Sequence, residues 1–144
     1  MHRRAIGAGF VLASGIAAAI IGGHVLYAAD EKEAYVSTAE QRTLIEKPLP
    51  GGEEKQITIV RATLPPGWVG GRHYHSGPVY VYVLEGSFTI DEQGKRRQTF
   101  EAGDLYEEPV GTPMQARNMN TSEPAKLLIV QVNSRGEPLM YKAQ

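Results

Sequence analysis

From Lys55 to the end, the chain is a series of short apolar or alternating runs cut by proline and glycine, and that pattern constrains the fold more than any other feature. "QITIVRATL" alternates and stops at Pro65-Pro66-Gly67. "VYVYVLEG" is β-branched and aromatic, and "SFTIDEQGKRRQTF" reads as two strands around a turn at Asp91 to Gly94, where glycine supplies a positive φ. "AGDLYEEPVGTP", "MQARNMN" and "AKLLIVQV" read as further strands, and "PLMYKA" as a last edge strand. After residue 50 no apolar 3.6-residue period of useful length appears. Eight or more short strands with turns every 8–12 residues predict an all-β sandwich or barrel.

The first thirty residues are of another kind. His2-Arg3-Arg4 is a basic start, Ala5 to Ala29 carries no charged residue, and Asp30-Glu31-Lys32-Glu33 ends the stretch. This reads as an export signal, with cleavage after Ala28 or Ala29. Leu26 or Tyr27 stands where a small residue is preferred for cleavage. The stretch is also long enough to span a bilayer, which takes about 20 residues. A retained N-terminal hydrophobic helix anchored in the membrane is therefore the competing reading. Both place the remainder outside the cytoplasm (periplasmic or extracytoplasmic), with Arg3 and Arg4 inside. A buried core helix fits poorly, because the stretch holds five glycines. The division expected is 1–29 signal or anchor, 30–50 linker with a candidate first strand at Thr43–Lys47, and 51–144 barrel domain.

Composition removes several function classes. Lys+Arg is 15 and Asp+Glu is 16, which argues against nucleic acid as a partner. No cysteine is present, so disulfides, thiolate metal sites and cysteine nucleophiles are excluded. No HExxH, P-loop, GxSxG or complete GxGxxG motif occurs. After the leader, His73 and His75 are the only histidines. His-x-His on a strand points both imidazoles to one face, a start for a metal site.

The residues around this pair resemble the cupin superfamily of small β-barrels. Gly67, His73, His75 and Gly86 match its first motif, and Gly103, Pro109, Gly111 and Asn118 match its second. The resemblance covers about Ile57 to Val132 and implies a single antiparallel β-barrel or jelly roll, often dimeric. It also implies a metal held by three histidines and one glutamate. Here the glutamate position falls on Val79 and the third histidine position on Met114. Val79 cannot ligate. Met114 offers a soft thioether, which favours copper as Cu(I) over iron or manganese. Glu107 and Glu108, just before Pro109, are the other candidates for completing the site. The alternative is a metal-free pocket in which the two histidines are simply hydrogen-bonded.

The remaining candidates have mostly structural readings. Tyr80 and Tyr82 have opposite parity to the histidines and are expected to face a second sheet or subunit. Trp68 and Arg72 flank the barrel mouth. Gln115, Arg117 and Asn118 lie on the second-motif strand, where Asn118 is expected to fix a turn. Three functions stay open: a pocket binding a small molecule and a transition metal, a metal-dependent enzyme of dioxygenase or isomerase type, and an interaction domain with a vestigial pocket. An inward Glu107 or Glu108 favours the enzyme. Exposure of both favours binding.

Overall fold

The computed structural model describes residues 19–21, 24–26 and 32–144. Within the leader these are two short strands, β1 (Ala19–Ile21) and β2 (His24–Leu26), paired antiparallel. The expected hydrophobic helix otherwise falls outside the described residues. Among the described residues no helix is long and apolar enough to cross a membrane.

From Lys32 onward the chain forms one compact unit of two antiparallel sheets. The candidate first strand of the connecting region is present and longer than the sequence indicated. It is β3 (Glu40–Leu49), paired along β4 (Gly52–Leu64). Then come β5 (His73–Tyr74), β6 (Val79–Glu85), β7 (Ser87–Glu92) and β8 (Gln98–Glu101). The series ends with β9 (Leu105–Glu108), β10 (Met114–Arg117), β11 (Ala125–Ser134) and the edge strand β12 (Tyr141–Lys142). One sheet has the order β12-β5-β10-β7-β8 and the other β3-β4-β11-β6-β9.

Alternation places the core between the sheets. Along β6, Val79, Val81 and Val83 are buried while Tyr80 and Tyr82 are exposed. Phe88, Ile90 and Met114 from the opposite sheet join the same cluster. Each such side chain contributes about 1.5–3 kcal/mol by leaving water. A one-residue slip of β6 would exchange the valines for the tyrosines and forfeit that burial.

The approach to β6 depends on Gly77. A Cβ there would lie 1.9 Å from the Val132 carbonyl oxygen, so no side chain fits. The close approach lets the Val132 N–H donate to the Pro78 carbonyl at 3.1 Å and ties the loop to β11. Asn118 has the turn-fixing role expected of it: it is buried, and its amide donates to the carbonyls of Leu64, Pro65 and Glu123.

Candidate metal centre and cavity

His73 lies on β5 and His75 just beyond its end, and both side chains are buried. The period-two expectation holds: both point inward, with ring centroids 5.2 Å apart and planes at 84°. Tyr74 between them stacks instead on Tyr141.

The two glutamates separate by the same rule. Along β9 the pattern is exposed Leu105, buried Tyr106, exposed Glu107, buried Glu108. Glu107 therefore points away from the histidines. Glu108 sits directly across from Val79 in the β6–β9 register. Its Oε2 lies 2.8 Å from His75 Nε2. The carboxylate absent at Val79 is thus supplied by the neighbouring strand. One ligand atom each from His73, His75 and Glu108 falls within 4.8 Å of the others. Met114 pairs with His73 across β5 and β10 and is fully buried, but it belongs to the apolar cluster.

Hydrogen bonds fix the ring orientations. The Gly71 carbonyl can only accept, so His73 Nδ1–H donates to it at 3.0 Å and Nε2 keeps its lone pair. His75 Nδ1–H likewise donates to the Leu139 carbonyl at 2.8 Å, with Gln131 Oε1 at 3.2 Å. Gln131 is itself held by donating to the Leu139 carbonyl. Such partners set which imidazole nitrogen faces a metal.

The two histidines are shifted in opposite directions. Burial lowers His73, and the nearby His75 adds to this; the Gly71 hydrogen bond and the Glu108 charge oppose it without prevailing. Burial also pulls His75 down, but the Glu108 hydrogen bond and charge, with the Leu139 and Gln131 acceptors, outweigh it and raise His75 above its ordinary value. Acceptors at both nitrogens favour the protonated form of His75, whose Nε2–H would donate to Glu108 Oε2 at 2.8 Å.

The donor set fits a transition metal. Donors about 2.0–2.2 Å from one ion lie roughly 3.0–3.5 Å from each other, so on binding an ion the 2.8 Å His75–Glu108 edge would open and any wider edge, up to 4.8 Å, would close. Two neutral imidazoles and a carboxylate leave the remaining positions open to water or a ligand.

The three side chains form the polar end of a cavity of about 60 Å³. Ala62, Leu64, Val81, Phe88, Leu127 and Ile129 are among the apolar side chains of its wall. Among its described lining residues there is no lysine or arginine. Trp68 lines it as the sequence indicated, with its indole N–H donating to Thr38 Oγ1 at 3.0 Å. Arg72 is exposed and donates to Gln93 instead. Gln115 donates to the Gly70 carbonyl and Arg117 to Asp91, so neither serves the centre.

Three participants have no counterpart in the sequence reading. Gln131 lies across from Val79 on β11 and orients His75. Tyr35 stacks on His73 with centroids 5.2 Å apart. Glu92 is buried in the same inward row as Met114, accepting from Tyr106 Oη at 2.8 Å and paired with Lys95. Burial and the Glu92 acceptor push the Tyr106 hydroxyl well above the usual phenol range. The sequence carries no parity signal for Glu108, since Leu105 and Tyr106 are both apolar and point to opposite faces of β9. Nor does it carry one for Tyr35, which lies outside every motif.

Comparison with known proteins bears on the fold. The Cupin domain family matches residues 60–131. Among curated proteins none matches the sequence. The DMSP lyase DddQ from Ruegeria pomeroyi is similar in structure, with TM-score 0.57 and 19% identity over 69% of this chain and 49% of that one. The chain thus spans about half the length of that lyase. A conserved protein with a double-stranded β-helix domain from Klebsiella pneumoniae gives TM-score 0.57 and 16% identity over 83% of this chain and 97% of that one. KdgF from Halomonas gives TM-score 0.53 and 22% identity over 69% and 81%. At such identities the likeness concerns the fold, while the matched domain fills half of the chain. With two antiparallel sheets enclosing an inward His-x-His pair, the chain belongs to the cupin family.

Proposed function

We propose that this is an exported cupin that binds one divalent transition metal through His73, His75 and Glu108 and acts enzymatically on a small, largely apolar organic molecule. One observation carries the reading: Glu108 enters from β9 and converges with the histidine pair at the polar end of an apolar cavity. Neither the histidines nor the carboxylate are spent on the hydrophobic core. When bound, such a metal supplies Lewis-acid polarisation of a ligand oxygen. His73 and His75 hold their positions through Gly71, Leu139 and Gln131. The largely apolar wall sets the size and polarity of the ligand. One water needs about 10–15 Å³ on this measure, so the cavity suits a molecule of only a few heavy atoms. The described wall carries no lysine or arginine to pair with a polyanion. The structural similarity to a protein described as a DMSP lyase supports the enzymatic reading.

The preference for copper rested on Met114. A carboxylate as third donor instead supports ions such as Fe(II), Mn(II) or Zn(II). The direct 2.8 Å contact between His75 and Glu108 favours one second reading, a metal-free binding module in which the pair is a buried ion pair. Export rests on the basic start and uncharged stretch of the leader. A homodimer rests on the exposed apolar side chains of β6 and β9.

Elemental analysis and metal titration of the full chain test the proposal beside His73→Ala and His75→Ala. One ion per chain in the wild type, lost in both variants, is expected. Absence of metal, with melting unchanged by Fe, Mn, Zn, Ni or Cu, would leave the binding module standing.

A further inference from the structure

The family match begins at residue 60, yet part of the cavity comes from well before it. Residues 33–38 run past the edge of the β12 sheet. The Lys142 N–H donates to the Glu33 carbonyl at 2.7 Å, and the Tyr35 N–H donates to the Met140 carbonyl at 2.9 Å. Ala34 bridges Tyr141. At the far end Thr38 accepts from Trp68. The segment is thus fastened at both ends across the cavity, and Tyr35 and Ser37 line it.

Tyr35 makes two contacts on the His73 side. Its ring lies nearly parallel to the imidazole, at 12°. Its hydroxyl oxygen accepts from the Gly71 N–H at 2.7 Å. Gly71 is the same residue whose carbonyl accepts from His73 Nδ1. The approach requires glycine, because a Cβ on Gly71 would lie 2.7 Å from the Tyr35 ring. One tyrosine therefore covers a face of the imidazole and pins the residue that decides which nitrogen carries the proton.

We infer that Tyr35 is a positioning residue for His73: through stacking and through Gly71 it holds the imidazole in the Nδ1–H tautomer with Nε2 free to bind, and the 33–38 strap roofs the cavity. The metal-binding part of this rests on the function proposed above; the tautomer does not.

Nitrogen-15 NMR of the metal-free full chain, read at neutral pH or slightly above, reports the His73 tautomer directly. Zn(II) titration by calorimetry reports affinity. The wild type is expected to show Nδ1–H only. Tyr35→Leu loses both contacts and should show mixed tautomers with Zn(II) affinity lower by about 10–100-fold, the usual effect of removing a group that orients a ligand. Tyr35→Phe keeps the stack and should fall between the two. Gly71→Ala displaces the ring by an independent route and should reproduce the Leu variant, which covers the case in which Tyr35→Leu does not fold. A folded Tyr35→Leu or Gly71→Ala protein with the wild-type tautomer overturns the inference. If the wild type binds no Zn(II), the proposed function fails while the tautomer readout still decides the role of Tyr35.

Discussion

Glu107 and Glu108 share a charge and a strand, and β9 sends one to solvent and the other beside His75. Glu108→Gln should lower metal affinity by at least about 10-fold, since loss of a direct ligand costs no less than loss of an orienting partner. Glu107→Gln should leave both affinity and melting unchanged, as surface substitutions usually do within about 0.5 kcal/mol. Isothermal titration of both variants checks the contrast. The histidines add a pH signature. His73 sits below the ordinary value of 6.5, so its contribution to stability falls as pH drops below 6.5. His75 sits above 6.5, so its contribution is complete below 6.5 and is lost as pH rises through its folded value. In the metal-free protein these two side chains together favour a stability maximum near pH 6.5, and Glu108→Gln should flatten its alkaline side in melting scans. Metal binding must displace the His75 proton, so affinity should climb with pH until that proton is gone. At this scale the His pair and the failure of Val79 as a ligand were legible in the residues. The choice between the two glutamates needed the strand register, because Leu105 and Tyr106 offer apolar residues on both parities. Tyr35 was not legible, because its partner Gly71 lies 36 residues away.

Strands were legible where burial alternates and not where length is short. β6 and β11 announce themselves through runs of β-branched residues, whereas β5 has two residues and is defined by its neighbours. The extent of β3 was also hidden, because its residues are mostly exposed and polar, and only pairing with β4 holds them extended. The element most exposed to a single change is the loop before β6. Gly77→Ala forces a methyl group onto the Val132 carbonyl and must move one strand against another. Overpacking of this kind costs about 1–3 kcal/mol, a loss of roughly 5–20 °C in melting temperature for a domain of this size. A melt within 2 °C of wild type, about the effect of a fraction of a kcal/mol, would mean that the loop yields freely.

The two sheets of the barrel are unequal in what they show to solvent. Tyr80, Tyr82, Leu84 and Leu105 are 38–63% exposed on the outer face of the β3-β4-β11-β6-β9 sheet. Tyr82 lies across from Leu105 on one side and Leu128 on the other, so the apolar stripe crosses three strands. A second copy meeting this face would bury it, and Tyr82→Lys should then convert a dimer to monomer in analytical ultracentrifugation. A wild type that sediments as a monomer at all accessible concentrations would remove the dimer from the proposal. The barrel as a whole was legible, since turn spacing and eight motif positions agreed on it. Its ligand was not, because an apolar wall states size and polarity and leaves identity open.

The roof made by residues 33–38 gives the segment just after the leader a chemical meaning. Cleavage after Ala28 or Ala29 would spare the roof, while trimming a few residues further would unfasten Glu33 and then Tyr35. A recombinant form begun at Glu40 would keep every strand of both sheets and still present an uncovered imidazole. An assay on such a truncated protein would measure the chemistry of an open vessel in place of a closed one.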